Sequence, residues 1–163
     1  MEQFEKYHPL LTDHYTLDWL TVTPLKTVNQ TLPQLSANYH WTSFSQSAHY
    51  LNQTMLAVMR NQKLVWGITR RTNQALVGVA SLTEFHQQQV HLRIALLSTD
   101  EAVDEIAYET LTYLTAFVFA ELNLNQITLQ TPFPKSHLLQ ELGYSYQHKS
   151  GRWQIQRAVS INR

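Results

Sequence analysis

The run from Val90 to Tyr144 constrains this chain most, because its hydrophobic period changes there from two to about 3.6 and back. In Val90-His91-Leu92-Arg93-Ile94-Ala95-Leu96 the aliphatic residues fall on 90, 92, 94 and 96, the alternation of a strand with one buried face. Ser98 to Glu105 follows, with four carboxylates and no apolar run. Ala107, Leu111, Leu114, Val118 and Leu122 are then spaced by three and four, one face of a long helix. Ile127 and Leu129 in Gln126–Gln130 make a second strand. Ser136 to Leu142 reads as a short helix stopped by Gly143, the residue that takes a left-handed C-cap at least cost. A helical crossover joins the two strands, so they are expected to lie side by side and parallel.

The remaining segments supply antiparallel partners. Residues 1–14 read as an extended lead-in, and Thr16–Val22 as a strand that Pro24 ends. Leu25, Val28, Leu32 and Leu35 share a helix face, but Pro33 interrupts it, which predicts a short or broken helix ending near Asn38. Ser45 or Ser47 is placed to cap a second helix carrying Tyr50, Leu51, Met55, Val58 and Met59. Lys63–Thr69 and Gln74–Glu84 are strands separated by a polar turn, and Gln87-Gln88-Gln89 turns the chain into the strand of Val90. Tyr146 and His148 mark a sixth strand, and Trp153 and Ile155 a seventh. The expectation is one α+β domain over residues 1–163. Its sheet is mixed, mostly antiparallel, of six or seven strands, flanked by about four helices.

The string from Glu121 to Tyr144 resembles the end of the GNAT (GCN5-related) N-acetyltransferase core, in particular the branch that acetylates ribosomal-protein N-termini. The matching residues are Glu121-Leu122-Asn123-Leu124-Asn125-Gln126-Ile127, Ser136, Leu138-Leu139 and Leu142-Gly143-Tyr144. Ala75 to Leu82 is similar to an upstream strand of that family, and the order of elements agrees over roughly residues 15 to 158. The resemblance implies acetyl-CoA as co-substrate and an amine, on a peptide or a small molecule, as acceptor. Main chain of Leu96, Leu97 and Ser98 would hold the thioester and its oxyanion. The turn Val103-Asp104-Glu105-Ile106-Ala107 would stand where backbone N–H groups cradle the pyrophosphate. Asp100 or Glu101 would act as the base, and Ser136 would protonate the leaving thiolate.

The chain also departs from that pattern. Val103 and Glu105 stand where glycines are expected, so their side chains limit close backbone approach. Asp104 and Glu105 bring negative charge to a phosphate site, which Coulomb repulsion opposes. Phe133 replaces an expected Asn, and Leu139 excludes the tyrosine acid that some members use. The same residues also have purely structural readings. Asp100 and Glu101 suit a solvated helix start, and Ser136 suits a helix N-cap. A non-catalytic descendant of the fold, kept as a binding or assembly module, is therefore the alternative to an enzyme.

Charge and composition narrow the partners. Twelve Lys and Arg balance twelve Asp and Glu, which removes the electrostatic argument for nucleic acid or an anionic membrane. Without cysteine there is no disulfide, no thiol nucleophile and no thiolate metal site, so transfer would be direct, within a ternary complex. The eight His are scattered, and no metal is expected. Glu84 and His86 are weaker candidate bases, and Arg70, Arg71 and Lys135 weaker phosphate contacts. The start of the chain has no apolar core of a signal peptide, so a cytoplasmic location is expected. A homodimer through the last strands is also expected.

Overall fold

Eight strands form one sheet in the computed structural model, which describes residues 4–158. In chain order they are β1 (Leu10–Leu11), β2 (Tyr15–Asp18), β3 (Leu64–Arg70), β4 (Leu76–His86), β5 (Gln89–Leu96), β6 (Gln126–Gln130), β7 (Ser145–Gln147) and β8 (Arg152–Gln156). They lie in the order β1-β2-β3-β4-β5-β6-β8-β7. The β5–β6 pair is parallel, as the crossover requires, and every other pair is antiparallel. The strand beyond the expected seven is β1, whose two residues are too few for a periodic signal.

Four helices flank this sheet: α1 (Leu25–Leu35), α2 (Phe44–Met59), α3 (Val103–Ala120) and α4 (Ser136–Leu142). The crossover helix α3 buries Ile106, Ala107, Leu111, Leu114 and Val118 completely against the larger core. Trp66 sits in that core, stacked on Trp19 at 6.3 Å and edge-on to Phe117 at 5.9 Å. Its indole N–H donates to the Tyr7 carbonyl at 2.8 Å, so burial strands no polar group. Truncating such a side chain to Ala costs about 3–5 kcal/mol. A second cluster, with Val28, Leu32 and Leu51 facing Val65, Leu76 and Val79, holds α1 and α2 to the other face.

Pro33 does not break α1, which runs unbroken to Leu35 instead of ending near Asn38. A proline leaves the carbonyl four residues earlier without its helical donor. Here that carbonyl belongs to Asn29, and the Trp41 indole N–H supplies the missing bond at 2.9 Å. The Asn29 amide oxygen also accepts from Ser47 at 2.8 Å, tying α1 to α2. Ser47 is thus buried inside α2 and Ser45 is a helix residue. The N-cap is Ser43, whose hydroxyl accepts from the Gln46 N–H at 3.4 Å.

Elsewhere the differences concern boundaries. The first long strand ends at Asp18, and Leu20–Val22 is a 3-10 turn. The expected lead-in contains a 3-10 turn at Phe4–Lys6 and β1, while its residues 1–3 lie outside those described. Gly143 closes α4 with φ +105°, the left-handed conformation that suits glycine. Among the described residues no helix is long and apolar enough to cross a membrane.

Candidate functional site

Strand β5 outruns β6: all five residues of β6 are paired, but the last three of β5, Ile94–Leu96, have no partner there. Their register runs from Gln89↔Gln126 to Arg93↔Gln130 and stops there. The cause lies just past β6. Pro132 and Pro134 have no N–H to give a ladder. The Thr131 hydroxyl accepts from the Phe133 N–H at 3.2 Å and donates to the Phe133 carbonyl at 2.8 Å, so the chain turns on itself. Ile94, Ala95 and Leu96 continue without β6, and a cleft of about 480 Å³ opens between them and Gln130–Phe133. On the other side, the Leu97 N–H donates to the Val77 carbonyl of β4 at 3.3 Å. Main-chain groups alternate sides along a strand, so those of Ile94 and Leu96 face the cleft.

A second cavity of about 340 Å³ adjoins the first and shares Ser36, Asn38, Arg93 and Ala95 with it. Its floor follows one cross-strand row, Val65↔Ser81↔Arg93, flanked by Lys63 and Thr83. Its wall is Tyr39, Trp41 and Tyr50, with His40 between them in sequence. The His40 Nδ1–H donates to the Ala37 carbonyl at 3.0 Å, which leaves Nε2 as the ring's lone-pair acceptor. Tyr39 is held protonated, its pKa pushed far up by burial and then by the neighbouring Tyr50.

The turn before α3 is occupied by the chain's own carboxylate. Asp100 accepts from the Ala102 N–H at 2.9 Å with one oxygen and from the Arg70 guanidinium at 2.9 Å with the other. The Val103 N–H donates to the Asp100 carbonyl oxygen at 3.1 Å. The backbone N–H of Ala102, and then Arg70, hold the Asp100 carboxyl below its ordinary pKa against the opposing effect of burial. Arg70 is raised in return. Asp104 accepts from the Lys135 N–H at 3.2 Å, joining α3 to the start of α4. Among the described residues, the N–H groups of Asp104 and Glu105 keep no acceptor.

No protein-family model and no curated protein matches the chain. Solved structures do. A putative ribosomal-protein-serine acetyltransferase from Vibrio cholerae superposes with a TM-score of 0.70 at 21% identity, over 86% of this chain and 84% of that one. A GNAT-family acetyltransferase from Bacillus anthracis gives 0.65 at 10% identity, over 91% and 98%. A spermidine N-acetyltransferase chimera from Vibrio cholerae and hSSAT gives 0.65 at 18% identity, over 88% and 96%. This chain has the GNAT acetyltransferase fold.

Within that GNAT fold the expected site residues divide. Leu96 and Ser98 line the cleft, as does Phe133, whereas Leu97 turns its N–H to β4. Ile106 and Ala107 are buried in the core under α3 and do not reach the cleft. Val103, Asp104 and Glu105 form the first turn of α3, outside the cleft lining. Asp100 is committed to Ala102 and Arg70, and Glu101 is exposed on the turn beside it. Ser136 is exposed as the first residue of α4. The cap position is Lys135, so Ser136 does not serve as the N-cap. Glu84 is paired with Arg152 at 3.3 Å, and Arg71 is spent on the carbonyls of Thr12, Asp13 and Tyr15. His86 faces Gln89 at the end of the β4–β5 hairpin. The described residues contain no cluster able to hold a metal.

Lys63, Arg93, His40 and the aromatic wall carried no signal by which sequence reading singles them out as a site. Their convergence depends on strand register across residues 63 to 93 and on how α1 and α2 pack.

Proposed function

We propose that this chain transfers an acetyl group from acetyl-CoA to an amine by direct attack in a ternary complex. The observation that carries the reading is the parting of β5 from β6 after Arg93 and Gln130, which opens a cleft continuous with a second, polar cavity. Acetyl-CoA would supply the thioester, whose C–S bond breaks as the amine N–C bond forms. The rest falls to the chain's own residues. Leu96 turns its N–H toward the cleft, where it can donate to an oxyanion. His40, with Nδ1 engaged by Ala37, offers Nε2 to the amine proton in place of the occupied Asp100. Glu101 and Ser136 are both exposed, one on the turn after Asp100 and the other at the start of α4.

The residues fit the donor only in part. The cleft suits the thioester arm, and the open N–H groups of Asp104 and Glu105 suit a phosphate. Asp100, however, already takes Ala102 and Arg70, so a pyrophosphate would have to exchange with it. That observation favours a second reading, a module of this fold that no longer binds the donor. The two readings separate in one assay, which incubates the chain with acetyl-CoA and pooled amines and measures thiol release and acetylated product by mass spectrometry. The proposal expects product, and a loss of roughly a hundredfold or more in rate for His40→Gln at unchanged melting temperature. Absence of product together with absence of acetyl-CoA binding gives the second reading.

A further inference from the structure

The second cavity brings two cations, Lys63 and Arg93, together with no carboxylate beside them. Among the described residues neither cation has an ion-pair partner. Arg93 reaches only the Gln130 amide oxygen at 3.5 Å. Glu84, next to Thr83 on the rim, is engaged with Arg152. This contrasts with Arg70, which Asp100 neutralises. Two unpaired cations above hydroxyl and amide groups, those of Ser81, Thr83 and Asn38, make a site for an anion. A guanidinium presents two parallel N–H groups, the geometry that a carboxylate accepts.

The aromatic wall argues the same way. Tyr39, Trp41 and Tyr50 have ring centroids 5.5–5.9 Å apart, tilted or edge-on to one another. They pack on each other and so do not frame an open box for a cation. They offer an apolar flank for a side chain, beside a floor that repels ammonium groups.

We propose that the second cavity recognises an amine that also carries a carboxylate, either a free amino acid or the N-terminus of an acidic peptide. The chemical role rests on the acetyl-transfer reading, but the binding claim stands without it. The carboxylate pairs with Arg93 and Lys63, and the amine is left at the junction with the cleft, because Arg93 and Ala95 line both spaces. The same cations disfavour the ammonium form, so the bound amine gives up its proton more readily, as attack requires. A polyamine, all cation and no anion, is rejected.

The test is calorimetric titration of the full chain at low salt without acetyl-CoA, using leucine, leucinamide, the dipeptide amide Ala-Asp-NH2 and spermidine. Leucine and leucinamide differ only in the carboxylate. The expected result is that leucine or the acidic dipeptide binds on the order of tenfold tighter than leucinamide, that spermidine gives no heat, and that Arg93→Gln and Lys63→Gln abolish the difference. Whichever of leucine or the dipeptide binds more tightly identifies the source of the carboxylate. Equal or tighter binding of leucinamide or spermidine, no binding of either acid, or a preference that survives both substitutions would overturn the inference. Both residues reach solvent, and an unchanged melting temperature confirms that the variants fold. If acetyl-CoA fails to bind while leucine binds as expected, the transferase reading fails and this one stands.

Discussion

Two regions beside the β5–β6 cleft, the turn before α3 and the second cavity, treat charge in opposite ways. In the turn before α3, Asp100 takes the Ala102 N–H and Arg70, so two of the groups there that would suit a phosphate are already used. In the second cavity, Lys63 and Arg93 stay unpaired and await an anion from outside. A charge that has a partner is already satisfied, whereas two unpaired cations lining one cavity can still take an anion. The difference teaches that the second cavity is open to an anion from outside as it stands, whereas the turn before α3 would have to rearrange to admit one.

The largest expected effect disturbs the cleft and spares the second cavity. A Cβ on Gly78 would stand 2.8 Å from the Ala95 carbonyl oxygen and 2.3 Å from a Leu96 methyl. Gly78→Ala should therefore displace the free end of β5 and cost about 2 kcal/mol, or roughly 4–8 °C in Tm. Coenzyme A binding should fall while carboxylate binding at Arg93 persists; calorimetry with each ligand checks this. Equal losses at both sites would show that the two are not independent.

Asp100→Ala is expected to do the reverse. It frees Arg70 and the Ala102 N–H at a stability cost of about 1 kcal/mol, and it should strengthen coenzyme A binding roughly tenfold. The carboxylate side of its linkage is also testable. Its folded pKa is depressed, so its contribution is present above the unfolded value near 3.9 and is lost as pH falls through the folded value. Between pH 5 and 2 the wild type should lose more stability than Asp100→Ala, as followed by thermal melts. A smaller gain in coenzyme A affinity, a few-fold, is expected from Val103→Gly with Glu105→Gly, which removes one negative charge and two side chains from the same turn. No gain from either change would mean that something other than this turn obstructs the donor.

The smallest effect concerns the contact between the N-terminal segment and α3. Glu109 accepts from Thr12, from the His14 N–H at 2.8 Å and from the His14 ring at 2.7 Å, pinning the N-terminal segment to α3. Its hydrogen bond to Glu109, and then the charge of Glu109, raise the pKa of His14. Their contribution is thus complete below pH about 6.5 and disappears as pH rises through the folded value. The His14 side chain is 72% exposed, so solvent screens the pair. Relative to His14→Gln, the wild type should lose a slight advantage in melting temperature between pH 6 and pH 8.5, with ligand binding unchanged. A change in ligand affinity would link this contact to the ligand sites.

How far the chain could be read without coordinates follows from the range of each interaction. The crossover unit, the parallel pair, the long helix and the left-handed Gly143 are legible in local pattern, but the first residue of that helix, Val103, is not, because the acidic stretch before it carries no period. The continuity of α1 is not legible locally, because the bond that rescues Pro33 comes from Trp41, eight residues later, and neither is the cap on α2, because Ser47 serves Asn29 instead. The turn before α3 was legible as acidic, but not as closed. That depends on Arg70 reaching across from the end of β3. Lys63, Arg93 and His40 become neighbours only through register and helix packing, which no local pattern encodes.

The most direct test of the cleft as an acyl-donor site is titration of acetyl-CoA into wild type and Asp100→Ala side by side by calorimetry. The account predicts one site per chain in both, with tighter binding in Asp100→Ala. No heat in either protein at millimolar ligand, or weaker binding once Asp100 is gone, would contradict it.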